Sequence, residues 1–268
     1  MIRVATRNEI DEVLQYLEQD LQLCLYAYID IKKYRIDNPN LTVYVQYDGK
    51  DNLQCVVMKY YKGLQIYTHK EEYDAKELVS FLKGIEFNMI NGSDYLVSAI
   101  QRELKGVLDT ECETGYVMEL TDFIWQEDKD VSSLIEYVPD ERYDEVARLI
   151  CSDEELGGHY EVEALSRQLL ERKNEQFGRN LILCVDGKIA CHGATYAEIE
   201  EAAVVSGIIT DADCRGKGYA YQVVGKLCRD LRSEGKRVFL FYYNDTAGRL
   251  YKKLGFGNEK LWKKLTLR

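Results

Sequence analysis

The sequence predicts an α/β protein of two tandem halves, each an α+β arrangement around a mixed sheet. Three observations predict it. Apolar residues recur with helical and strand periods in the same order in both halves. Hairpin signals, Asp48-Gly49 and Asp186-Gly187, fall at matching places in that order. The chain has 268 residues, 46% of them hydrophobic, enough to build two ordinary cores, with only Pro39 and Pro139 and no Ser/Gly-rich linker. The expected domains are 1–130 and 131–268.

In the first half, helical spacing covers 9–17 and 21–33. Strands follow over 41–47 and 53–60, flanking Asp48-Gly49, and over 64–68. A helix over 75–83, a strand over 85–90, a helix from Ser93 and a strand near 116–120 complete it. In the second half, 140–151 carries apolar Val146, Leu149 and Ile150, and 161–173 carries Val162, Leu165 and Leu169, both at helical spacing. NLILCV (180–185) is a strand, returned through Asp186-Gly187 by 188–196, and 201–209 is a third strand. After a glycine turn come a helix over 221–231, the buried strand RVFLFYY (237–243) and a helix over 245–254 stopped by Gly255. The last strand or strands occupy 256–266. The repeated order suggests a structural duplication at an offset of roughly 135 to 150 residues.

CRGKGYA (214–220), between a strand and an amphipathic helix, carries the chemistry. Glycines there let backbone N–H groups approach an anion, and the helix start adds partial positive charge. Arg215 and Lys217 add full charges. Between Cys214 and Arg237 there are seven Lys or Arg and two acids, a local net of +5 in a chain of net −11. That contrast suits a small polyanionic ligand and argues against nucleic-acid binding. GxxxxGK[ST] is absent. GxGxxG is incomplete, because Tyr221 stands at its third glycine. The matching stretch of the first half, HKEEYD (69–74), has no glycine and cannot cradle phosphate.

The eight cysteines form no CxxC and there are three histidines, so no metal site is expected. Cys191 and His192 are strand neighbours, whose side chains point to opposite faces, so a nucleophile pair is disfavoured. The chain opens straight into charge and has no run of 18 apolar residues. The expectation is a cytoplasmic protein with reduced cysteines and no membrane span.

Residues 140–268 resemble the GNAT superfamily of acyl-CoA-dependent N-acyltransferases. GIITDADCRGKGYA (207–220) resembles its pyrophosphate segment, Q/R-x-x-G-x-G/A, with Gly216 and Gly218 in place and Asp213 where Gln or Arg is usual. NDTAGRLYKKLGF (244–256) resembles its N-x-x-[AS]-x-x-x-Y-x-x-x-G-F segment. The first half resembles a degenerate copy, as in two-domain members. The resemblance implies acetyl-CoA as co-substrate, without a metal. It implies that Arg215, Gly216, Lys217, Gly218, Tyr219 and Ala220 hold the pyrophosphate. Ile208, Ile209 and Thr210 would bond the pantetheine arm from a splayed strand, with Asn244 nearby. Tyr251 would protonate the leaving thiolate as general acid. No general base stands out. His159, Glu161 and Glu198 are candidates for the acceptor side. The acceptor is a small-molecule or peptide amine, and the protein a monomer or homodimer. The alternatives are a module that binds or senses acyl-CoA without chemistry, and a purely structural pairing of two α/β halves.

Overall fold

A computed structural model describes residues 1–69, 73–154, 156–157 and 160–268. In chain order its elements are β1 (Arg3–Val4), α1 (Ile10–Glu18), α2 (Leu21–Tyr34), β2 (Leu41–Tyr47), β3 (Leu53–Tyr60), β4 (Gly63–Tyr67), α3 (Ala75–Lys83), β5 (Met89–Ser93), α4 (Asp94–Leu104) and β6 (Thr110–Leu120). There follow α5 (Lys129–Ser132), β7 (Ile135–Tyr137), α6 (Tyr143–Cys151), α7 (Val162–Asn174), β8 (Asn180–Val185), β9 (Lys188–Glu198) and β10 (Ala202–Thr210). The chain ends with α8 (Tyr219–Ser233), β11 (Arg237–Tyr242), α9 (Asp245–Lys253) and β12 (Phe256–Leu267).

Contacts gather these into two compact units. One holds Met1–Met118, Tyr242–Asn244 and Glu259–Arg268; the other holds Glu119–Phe241 and Asp245–Asn258.

The first unit's strands lie in the order β1-β2-β3-β4-β5-β12-β6. β4 and β5 run parallel, and β5 pairs antiparallel with β12 from Trp262↔Ser93 to Thr266↔Met89. The last strand thus works mainly in the first unit, where Leu265 joins a core of Leu64, Ile66, Leu78, Leu82, Ile90 and Leu96. Alternation along 256–266 marks a strand but does not name its partner. β5 begins at Met89 rather than at 85. Gly84 ends α3, Asn88 N–H donates to the Lys62 carbonyl, and pairing starts only at Met89 opposite Gly63. Residues 70–72 of the expected acidic turn lie outside the described residues.

The second unit's sheet runs β11-β10-β9-β8-β7, with β10–β11 parallel and β9–β10, β8–β9 and β7–β8 antiparallel. α6 and α7 cover one face through Val146, Ile150, Leu165 and Leu169, which pack with Ile182 and Ile209. α8 buries Val223, Val224, Leu227, Cys228 and Leu231 at helical spacing. Gly225 on that helix lies flush against Trp125: a Cβ there would sit 2.3 Å from the indole ring, so only glycine fits. Trp125 is fixed by its Nε1–H, which donates to Gln222 Oε1 at 3.2 Å. Gly255, at φ +94°, turns the chain out of α9 against the Asp122 backbone.

Candidate functional site

β10 and β11 pair only from Ala202↔Arg237 to Val205↔Leu240. β10 then continues to Thr210 without that partner, while its other edge stays paired with β9 to Thr210↔Cys191. The backbone of Ser206 to Thr210, which includes Ile208, Ile209 and Thr210, is therefore open on the β11 side. Ile209 is buried; Ile208 and Thr210 are half-buried.

A bulge sits at the start of the splay. Between Ser206↔Ala194 and Ile209↔His192, two residues of β10 oppose one of β9. Gly207 takes the left-handed conformation this needs, at φ +62°. Its carbonyl accepts a hydrogen bond from His192 Nδ1–H at 2.7 Å, and His192 Nε2 lies 3.0 Å from the Asn180 side-chain amide. The imidazole is wholly buried. Cys191 does not partner it; its sulfur takes the Thr210 hydroxyl at 3.4 Å instead. His192 is thus a core residue that holds the bulge.

Burial lowers the His192 pKa to about 4, against the opposing effect of its hydrogen bond to the Gly207 carbonyl. The unfolded chain takes up this proton near 6.5 and the folded chain near 4, so the neutral ring's contribution is full above 6.5. It falls as pH drops through that window and levels off below it, a loss of about 3 kcal/mol. We expect thermal midpoints of wild type and His192→Asn to converge as pH falls from about 7 to about 4. A constant gap between them would contradict the assignment.

β10 leads to the glycine turn. Asp211 Oδ1 accepts from Asp213 N–H at 3.0 Å and shapes a short 3-10 turn, in which Asp213 is exposed. Arg215 Nε donates to the Thr210 carbonyl at 3.2 Å, and its guanidinium lies 3.3 Å from the Asp153 carboxylate. Gly216 and Gly218 follow at φ +79° and +78°, both exposed, and Gly218 caps the 15-residue α8. A Cβ on either glycine would meet nothing within 4 Å, so space above the turn is open. Among the described residues, no backbone N–H from Gly216 to Tyr221 meets a protein acceptor. No acid occupies the first turn of α8, so the partial positive charge there is not neutralised. Lys217 is exposed, and Tyr219 and Ala220 are half-buried at the helix start. These residues fit a pyrophosphate: free donors, two cations and open space in one place.

Tyr251 lies on α9, only 7% exposed, edge-on to Phe256 at 5.9 Å between ring centroids. Burial, with Cys228 of α8 adding to it, raises its phenol above the ordinary range and keeps it protonated. Asn244 is exposed, just ahead of α9, and compacts with the first unit.

Of the acceptor-side candidates, Glu198 and Glu161 lie among the described residues. Glu198 faces Ala203, at the end of β10 away from the splay. Its carboxylate takes Arg179 through Nη2 and, at 3.0 Å, through Nε; it also takes the Thr195 hydroxyl at 2.9 Å and lies 3.6 Å from Lys236 Nζ. Glu198 is a partner in a structural ion network. Glu161 is exposed at the start of α7. His159 lies outside the described residues. Among the described residues no group of three His, Cys, Asp or Glu could hold a metal ion, and no helix is long and apolar enough to cross a membrane.

A splayed parallel strand pair thus leads through a bulge and a glycine turn to a helix start whose N–H groups are open. The acetyltransferase (GNAT) family model matches residues 124–256. Residues 124–256 therefore carry a GNAT family domain. The fold agrees over its whole length. A Drosophila protein superposes with TM-score 0.73 at 12% identity, covering 100% of this chain and 98% of that one. An acetyltransferase of the GNAT family from Colwellia psychrerythraea gives 0.59 at 14%, covering 99% of each chain. A tandem GNAT protein from the clavulanic acid biosynthesis pathway gives 0.56 at 13%, covering 100% of this chain and 98% of that one. No curated protein sequence matches this chain.

Proposed function

We propose that the protein transfers an acetyl or other acyl group from acyl-coenzyme A to an amine. The observation that carries this is a pair of open backbone stretches on one strand–turn–helix segment, joined by a hydrogen-bonded turn. The open edge of Ser206 to Thr210 leads into the free N–H groups of Gly216 to Tyr221. The pyrophosphate is held by those N–H groups, with Arg215 and Lys217 beside it. The pantetheine arm bonds the open edge of β10 as an added strand would. A free N–H of that edge stabilises the thioester oxyanion.

The amine nitrogen attacks the carbonyl carbon and the C–S bond breaks. Tyr251 gives its proton to the departing thiolate and recovers one from solvent, while the amine's extra proton leaves to water. A buried phenol held in its protonated form suits an acid and not a base. The acceptor is an amine of small-molecule or peptide type.

Titration of the purified protein with acetyl-CoA in a calorimeter tests the reading. We expect one saturable site near the micromolar range, about −8 kcal/mol. Absence of binding by a folded protein would reduce the glycine turn to a helix entrance and overturn the proposal.

A further inference from the structure

Tyr196 is the residue at the bulge whose hydroxyl makes no hydrogen bond to another described residue. β9 has its own irregularity, where Val204↔Ala197 gives way to Val205↔Thr195. Tyr196 is the extra residue there, and a bulge re-aims its side chain. The phenol reaches across to β10, and its hydroxyl lies 2.7 Å from where a Cβ on Gly207 would be. Gly207 is therefore doubly required: its backbone is left-handed, and any side chain would displace this hydroxyl.

The ring is well held. It packs against the core of α6 and α7, and the Arg172 guanidinium lies over it, 5.1 Å from its centroid. Tyr160 and Cys151, from the two sides of the α6–α7 connection, are close enough to act on it electrostatically. The hydroxyl is different. Among the described residues it has no hydrogen-bond partner. Burial pushes the phenol up to about 12, so it stays protonated and its oxygen keeps acceptor capacity. The oxygen is not among the buried polar atoms that lack a partner, so solvent reaches it and a ligand can take the place of that water.

The spot is where the splay begins. Gly193 on β9 faces α8, since a Cβ there would meet Val223 and Ile208. Tyr196 instead packs on the α6–α7 side, together with Ile209. Resting on the acyltransferase reading above, we propose that the Tyr196 hydroxyl contacts the acceptor: it accepts an N–H of the attacking amine and turns the nitrogen lone pair toward the thioester carbon at the Gly207 bulge. No proton passes through it. It orients a neutral primary or secondary amine, and a tertiary amine has no N–H to offer.

The test is Tyr196→Phe in the full chain, which removes one oxygen and keeps the ring. Acetyl-CoA consumption is followed with spermidine, tyramine and a peptide with a free amino terminus, and acetyl-CoA affinity is measured separately. We expect acceptor kcat/KM to fall about tenfold or more, with acetyl-CoA affinity within about twofold of wild type. Arg172→Met, which strips the cation from the ring but spares the hydroxyl, should stay within about threefold on the acceptor side. Unchanged acceptor kcat/KM in Tyr196→Phe overturns the proposal. So does an equal loss in Arg172→Met, which would make packing the cause, and so does a loss confined to acetyl-CoA affinity. Wild type that binds acetyl-CoA but acetylates none of the amines overturns it while leaving the coenzyme site standing. Wild type that binds no acetyl-CoA overturns the underlying reading as well.

Discussion

Gly216→Asp should weaken acetyl-CoA binding by about a thousandfold, ~4 kcal/mol, in a protein that still folds. Two facts separate binding from stability here. Gly216 is exposed, and a Cβ on it meets nothing within 4 Å, so the new side chain clashes with no part of the protein. The backbone at φ +79° is left-handed, a region Asp tolerates at a cost of about 1 kcal/mol. The new carboxylate, however, stands among N–H groups that have no other acceptor, at a helix start with no acid of its own. It would occupy those donors itself and repel the phosphates they serve. Calorimetry and a thermal melt on the same sample decide the matter. Loss of binding with a melt shifted by only a few degrees supports the site, and undiminished affinity removes the glycine turn from it.

Tyr251→Phe should lower kcat about a hundredfold and leave acetyl-CoA affinity unchanged. The ring is buried against Phe256, and phenylalanine keeps that packing. The missing hydroxyl costs about 1 kcal/mol of stability, so the variant remains folded. A structural effect and a lost acid are told apart by the leaving group. An acetyl thioester of a more acidic thiol needs less protonation as it departs. It should recover most of the lost rate in the variant and gain little in wild type. Equal loss with both thioesters would take Tyr251 out of the proton transfer.

The parts of this site legible in the sequence are those that glycine or charge makes local. Gly216 and Gly218 announce a turn because their conformation is closed to most side chains, and Arg215 and Lys217 mark its ligand as an anion. The helices were legible from their buried stripes, as in α8, where Val223, Val224, Leu227 and Leu231 recur at helical spacing. What the sequence concealed depends on pairing between distant strands. Where β10 leaves β11 is set by a register that no single strand encodes. Gly207 was a signal within reach, since an isolated glycine inside a strand pattern marks a bulge. His192 and Tyr196 acquire their roles only because β9 lies beside that bulge. Glu198 shows the converse. An acid near a strand end reads as available until Arg179, brought from the start of β8, takes it up.

The placement of β12 bears on how the chain is made. Its residues Trp262 to Thr266 pair with β5, and in the first unit β12 stands between β5 and β6 as an interior strand. Synthesis proceeds from the N-terminus, and domains ordinarily fold in that order as they emerge. Here the unit begun first cannot close its sheet until residues 259–268 have left the ribosome. Throughout translation β5 offers an unpaired edge, the kind of template on which chains pair with one another. A chain released early, after residue 258, would keep that edge for good. Its fate would be aggregation or proteolysis, so that residues 259–268 decide whether residues 1–118 survive.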